Sequence, residues 1–79
     1  MLVVAEDIVT GIEYICSIED TGNAKALINF FERIDSARFQ FRYGEVIEES
    51  DNVMVQVNST RNFVDVIMHI ILTDSGIVI

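Results

Sequence analysis

Residues 37–43 alternate aromatic and polar side chains, and this alternation constrains the fold more than any other feature of the chain. A period of two places the aromatic rings on one face of an extended strand and Arg38 and Arg42 on the other. The rings belong to Phe39, Phe41 and Tyr43. We expect them to pack beneath helices, while Arg38 and Arg42 face water or the acidic surface of a partner.

The segment before this strand has the pattern of an amphipathic helix. Apolar residues recur at helical spacing within residues 23–34, and Asn23 is the predicted N-cap. The apolar stripe consists of Leu27, Phe30, Phe31 and Ile34. Asp35 and Ser36 are expected to end the helix.

The segment after the aromatic strand predicts a second strand and a second helix. Gly44 closes the first strand, residues 45–52 form an acidic turn, and Val53, Val55 and Val57 alternate on one face of the next strand. Ser59 or Thr60 is the predicted helix cap, and Gly76 is expected near the helix end. The apolar side of this helix consists of Phe63, Val64, Ile67, Ile70 and Ile71.

Residues 3–18 have a mixed pattern. Three isoleucines fit a helical spacing, whereas the content of valine, isoleucine and threonine favours strands. We interpret this region as a short strand at Val3 and Val4 followed by a helix from about Asp7. Residues 19–23 are expected to break it. The fold class predicted for the single domain, residues 1–79, is α+β, with two or three helices packed on one face of a small, mainly antiparallel sheet.

The charge of the chain bears on its partners. Five Lys and Arg oppose thirteen Asp and Glu, so the formal net charge is −8 at pH 7. A nucleic-acid binder neutralises phosphates, so this charge argues against DNA and RNA, and against the aromatic strand as a platform for single strands. A partner protein with a basic surface would be attracted instead.

The cysteine count and the longest apolar run suggest a cytoplasmic location. Cys16 is the only cysteine, so it forms no intramolecular disulfide, and we expect a buried side chain and a reducing compartment. Residues 63–72 are too few to span a membrane and contain Asp65 and His69. The start of the chain lacks the basic region of a signal peptide.

The polar residues indicate neither a catalytic nor a metal site. Asp65 and His69 lie one helical turn apart, which is the spacing of an ordinary surface pair as well as of an acid-oriented base. The acidic clusters lack the spacing of a calcium loop. They are Glu6 with Asp7, Glu19 with Asp20, and Glu48, Glu49 and Asp51. We therefore predict no enzyme activity, no cofactor and no metal.

Residues 22–45 and 58–74 together resemble the C-terminal half of the PatA-type N-terminal domain, a domain attached to bacterial response regulators and related signalling proteins. The matching positions are Gly22, Ala26, Leu27, Phe39, Phe41, Gly44, Ser59, Thr60 and Asp74. The family carries a β-rich first half with a Gly-containing pair of strands, whereas only residues 1–20 precede the match here. The resemblance implies a role in protein contacts and no enzyme activity.

Three classes of function follow. The first is a protein-interaction or regulatory module of bacterial signalling that forms a homodimer, in which the apolar residues Ile77, Val78 and Ile79 are buried. The alternative is a small acidic inhibitor, of phage or mobile-element type, that masks a basic nucleic-acid-binding surface of a partner. An enzyme is the third, and it would require an activity that His69→Ala abolishes.

Overall fold

The computed structural model describes residues 1–34 and 37–74 and contains four strands and two helices in that part of the chain. The elements in chain order are β1 (Leu2–Asp7), β2 (Glu13–Ser17), α1 (Thr21–Ile34), β3 (Phe39–Gly44), β4 (Met54–Val57) and α2 (Thr60–Asp74). The fold is α+β, as the sequence predicts. No helix of these two segments is long and apolar enough to cross a membrane.

The four strands form one mixed sheet in the order β3-β1-β2-β4. Strand β1 is antiparallel to both of its neighbours. Val3 of β1 lies opposite Cys16 of β2 and opposite Tyr43 of β3. β4 is parallel to β2, with Tyr14 opposite Val55. β3 and β4 therefore form the two edges of the sheet.

Both helices cover the same face of the sheet. Phe31 of α1 stacks on Phe41 of β3, with ring centroids 5.4 Å apart and planes 3° from parallel. Phe31 also meets Phe63 of α2 edge to face at 6.4 Å. The core between helices and sheet consists of Val3, Ala5, Cys16, Ile18, Ala24, Ile28, Phe31, Phe39, Phe63, Ile67 and Ile71. Burial of these apolar side chains is the main driving force of folding.

Residues 45–52, which we call the connector, lie against the opposite face of the sheet. The connector must travel from one edge of the sheet to the other, because it joins β3 to β4. The Ser50 hydroxyl donates a hydrogen bond to the Glu13 carboxylate, and Glu13 lies on the face opposite the helices. Val4 and Ile15 occupy the same face and are buried.

β1 and β2 form a hairpin with its turn at residues 8–12, so the helix predicted from Asp7 is wrong. The Asp7 N–H donates to the Ile12 carbonyl at 2.9 Å, and the Gly11 N–H donates to the Asp7 carbonyl at 2.8 Å. Gly11 has φ +77°, a conformation that glycine adopts without strain. The β-branched residues on either side of this turn prefer the extended backbone of β1 and β2.

The start of α1 lies earlier than predicted. The helix begins at Thr21, inside the expected breaker, and the Asp20 carboxylate accepts a hydrogen bond from the Asn23 N–H at 3.1 Å. Asp20 is therefore the N-cap in place of Asn23. A carboxylate in this position satisfies an otherwise unpaired N–H and interacts favourably with the helix dipole.

The buried face of α1 is rotated relative to the predicted stripe. The buried residues are Ala24, Ile28 and Phe31, and Leu27 is partly buried. The predicted stripe includes Phe30 and Ile34, but both are exposed, Phe30 by 46%. Position 24 has no bulky side chain to separate the helix from the sheet, so the face at 24, 28 and 31 packs inward.

The second half of the chain follows the sequence prediction more closely. Phe39 is buried and Phe41 packs against the core, whereas Tyr43 is 45% exposed. The centroid of the Tyr43 ring lies 5.9 Å from the Lys25 amine. The Ser59 hydroxyl accepts from the Asn62 N–H at 3.1 Å, which confirms Ser59 as the cap of α2.

α2 buries the apolar side that the sequence predicts, with Phe63, Ile67 and Ile71 in the core. The predicted roles of Asp35, Ser36, Gly76 and residues 77–79 fall outside the described residues.

Candidate functional site

A buried ion pair joins the end of β1 to the start of β3. The Arg38 guanidinium donates from Nε to Oδ1 of Asp7 and from a terminal nitrogen to Oδ2, both at 2.9 Å. Asp7 also accepts from the backbone N–H of Val9 at 3.0 Å and of Thr10 at 3.4 Å. The carboxylate therefore stabilises the hairpin turn and attaches β3 to it.

These contacts determine the charge of Asp7. Burial alone would raise its pKa, but hydrogen bonds from Arg38 and from the N–H groups of Val9 and Thr10 favour the carboxylate, and the net pKa is lowered. Asp7 is thus ionised near neutral pH. The group is a poor general acid or base there, since an effective one has a pKa near the working pH.

The position of Arg38 corrects a sequence prediction. Alternation from Phe39 predicts that Arg38 faces water on the side opposite the helices. The regular strand begins only at Phe39, so the alternation does not extend to residue 38. The Arg38 side chain is largely buried against Asp7, which is also nearly inaccessible.

A second ionic cluster lies beneath the connector. Glu13 is buried and accepts hydrogen bonds from the Arg42 guanidinium and the Ser50 hydroxyl. Nη1 of Arg42 also lies 3.4 Å from Oε1 of Glu6. Glu6 is directly opposite Glu13 in the β1–β2 register. Arg42 therefore separates two carboxylates that would otherwise repel each other, and it joins three strands of the sheet. It lies on the predicted face, but it forms ion pairs within the chain there.

The electrostatics of Glu13 support a structural role. Hydrogen bonds from Ser50 and Arg42 lower its pKa, and this effect exceeds the opposing effect of burial. Glu13 is consequently charged at neutral pH with its oxygens already bonded. The cluster holds the connector on the sheet, because Ser50 belongs to the connector and Glu13 to β2.

The predicted Asp65 and His69 pair lies on the exposed side of α2. His69 borders a cleft of about 370 Å³, whose described lining also includes Arg38, Ile70 and Thr73. The Thr73 hydroxyl donates to the backbone carbonyl of His69 at 2.8 Å, as is common for threonine in helices. The Thr73 hydroxyl thus bonds to the helix backbone.

Cys16 is buried in the core, as the sequence predicts. Burial raises the pKa of its thiol, which disfavours the reactive thiolate. Within residues 1–34 and 37–74, no group of three or more His, Cys, Asp or Glu side chains has the geometry to hold a metal ion.

One edge of the sheet exposes apolar side chains. We call it the β4 edge and define it as residues 53–57. Val53 is 66% exposed, and Met54 and Val55 are each 39% exposed. Met54 and Val55 open β4, the strand at one edge of the sheet, and Val53 directly precedes them. Consecutive exposed apolar residues on an edge strand are typical of surfaces that associate with another chain.

The sequence patterns did not predict the two ionic clusters. They predicted a strand at residues 53–57 but not that this strand lies at an edge of the sheet. Asp7 continues the Val3 and Ala5 alternation on the side of the sheet that faces the helices, which is a signal that it is buried. Its partner Arg38 is 31 residues away, and Ser50 is 37 residues from Glu13. No local pattern predicts such pairs.

No family model, no curated protein and no solved structure matches this chain.

Proposed function

We propose that the chain is a non-enzymatic protein-interaction or regulatory module that associates with a second copy of itself. The observation that carries the proposal is the β4 edge, where Val53 and Val55 are exposed on one face of the sheet and Met54 is exposed on the other. A small domain gains stability by covering such a surface, because its own core is limited by its length.

The polar groups fit this proposal better than catalysis. Asp7 and Glu13 are bonded to Arg38 and Arg42, and the pKa of each carboxyl is lowered, away from neutral pH. Their contacts stabilise strand and connector positions. We therefore place the interaction surface at β4 and not at the two arginines of the sequence prediction.

The proposed setting is cytoplasmic bacterial signalling. It rests on the resemblance of residues 22–45 and 58–74 to the PatA-type domain and on the single cysteine, Cys16, which suits a reducing compartment. The partner in that setting is the second copy, and further partners would bind to the surfaces that the dimer leaves exposed.

A second candidate is the acidic inhibitor, which the connector favours. The connector carries four exposed acidic residues and no basic residue. They are Glu45, Glu48, Glu49 and Asp51. Since Arg38 and Arg42 are paired with buried carboxylates, their charges do not offset this acidic strip. A basic protein surface would be attracted to it.

Absolute mass in solution separates the two candidates. We expect light scattering on a sizing column to give the mass of a dimer at both low and high salt, because apolar contacts are insensitive to screening. A monomer at every concentration would refute self-association. Binding to a lysine-rich model peptide that weakens steeply with salt would favour the inhibitor.

A further inference from the structure

The outer side of β4 offers backbone hydrogen-bonding groups to another strand. The Glu13 N–H donates to the Val53 carbonyl at 2.8 Å. In a parallel ladder the same alternate residues continue to face the neighbouring strand, so Val55 and Val57 also direct their backbone groups toward β2. Met54 and Gln56 then direct their N–H and C=O groups outward, where β4 has no further strand among the described residues.

The β4 edge lacks the features by which natural edge strands avoid pairing. Residues 53–57 contain no charged residue and no proline, and β4 pairs with β2 in an unbroken register. Natural proteins protect exposed edges with charges, prolines or bulges. An unprotected apolar edge is a template for strand addition.

We propose that a second copy of this chain pairs with the β4 edge, strand against strand and antiparallel, about a two-fold axis at Val55. This inference rests on the proposed self-association and specifies its interface. The two sheets become one continuous sheet of eight strands, and the exposed apolar residues of both edges are covered.

The side chains favour this register. With the axis at Val55, Met54 faces Gln56 of the second copy, and these are the residues whose backbone groups point outward. Val55 faces its own counterpart, and Val53 faces Val57 of the second copy. Paired β-branched residues stabilise neighbouring strands. A shift of the axis to Gln56 would oppose Val53 to Ser59 and reduce the three valine pairs to two, each of Val55 with Val57.

The charges favour the antiparallel direction. Glu49 and Asp51 precede β4, whereas α2 begins just after it with Arg61 and no acidic residue in its first turn. An antiparallel pair brings the acidic end of one copy beside the helix N-terminus of the other, where the helix dipole is positive. A parallel pair would place acidic residues against each other.

The test is a disulfide across the axis. Two Val55→Cys copies would have Cα atoms about 4.5 Å apart as a directly opposed, non-hydrogen-bonded pair, within the roughly 4.4–6.8 Å that disulfides span. We expect mild oxidation to convert most of the Val55→Cys protein into a covalent dimer on a non-reducing gel. Wild type controls for Cys16, which is buried.

Two further variants make the test specific. In the proposed register, Gln56→Cys copies lie about 8 Å apart, two residues along and one strand across, which exceeds the roughly 7 Å limit for a bridge. Gln40→Cys places an exposed thiol on β3, at the other edge of the sheet. Both should cross-link much more slowly than Val55→Cys. Circular dichroism of the reduced proteins checks that each variant is folded.

Each remaining outcome contradicts a defined part of the account. If Gln56→Cys cross-links and Val55→Cys does not, the register is wrong. If neither does while light scattering shows a wild-type dimer, the interface is elsewhere, although self-association stands. If wild type is a monomer at every concentration, both the interface and the proposed self-association fail.

Discussion

The two edges of the sheet are held in different ways. β3 is anchored by Phe41, which stacks on Phe31 of α1, and by ion pairs from Arg38 and Arg42 to buried carboxylates. β4 is uncharged, and Val53, Met54 and Val55 at its start are exposed, whereas Val57 packs against the core. β3 is thus fixed by contacts within the chain, whereas β4 leaves apolar side chains and the outward backbone groups of Met54 and Gln56 exposed.

The largest effect that this comparison predicts is the loss of aromatic anchoring. Phe31→Ala should lower the free energy of unfolding by about 4 kcal/mol, because it removes a buried ring and leaves a cavity. Its neighbour Phe30 is the matched control, since that ring is exposed, and Phe30→Ala should cost less than about 1 kcal/mol. Urea unfolding measures both. Equal effects would contradict the observed orientation of α1.

The next effect concerns the ion pair at the start of β3. Arg38→Ala should lower the free energy of unfolding by roughly 3 kcal/mol, because it leaves the buried Asp7 carboxylate uncompensated. Arg33→Ala, on the exposed side of α1, should change it by less than about 0.5 kcal/mol. If urea unfolding shows similar midpoints for the two variants, Asp7 and Arg38 do not stabilise β3 as described.

Acid should weaken the same anchoring. The pKa values of Asp7 and Glu13 are lowered in the folded protein, so their contribution to stability is present above the ordinary carboxyl pKa and is lost as pH falls through the folded values. Glu13→Gln should flatten the fall in unfolding free energy below about pH 4.5, by no more than about 1.4 kcal/mol per pH unit. Urea midpoints across that range measure it, and an unchanged slope would contradict the role of Glu13.

The smallest effect on stability is expected at β4, although its effect on association is the largest. Val55→Lys should shift the mass measured by light scattering from dimer to monomer. The substitution places two positive charges directly opposite each other at the axis, where they repel. The unfolding free energy of the Val55→Lys monomer should differ from that of the wild-type monomer by less than about 1 kcal/mol. Gln40→Lys on β3 should remain a dimer. Dissociation of both variants, or of neither, would remove the distinction between the edges.

The fold of the second half of the chain could be predicted because its patterns are local. Alternation defines β3 and β4, and α2 has a capping serine, Ser59, followed by a continuous apolar side. The hairpin of β1 and β2 could not be predicted in this way, since isoleucines at helical spacing compete with strand-forming residues. The turn depends on the backbone at Gly11 and on the Asp7 carboxylate.

The candidate sites depend on contacts that are distant in the sequence. Arg42 and Glu13 are 29 residues apart, so their pairing follows from the strand order and not from a motif. Alternation predicts that residues 53–57 form a strand, but not that the strand lies at an edge. The strand order therefore distinguishes a buried valine strand from an interaction surface.

Hydrogen exchange at β4 would detect the pairing of two β4 edges at single residues. We expect the outward N–H groups of Met54 and Gln56 to be protected at high protein concentration and to lose that protection on dilution. The Phe41 N–H is the control. The Ile8 N–H donates to the Arg38 carbonyl, so in the antiparallel ladder the even-numbered residues of β3 bond to β1 and the Phe41 N–H points away from it. Its exchange should not depend on concentration. Unprotected exchange of Met54 and Gln56 at every concentration would contradict the pairing of two β4 edges.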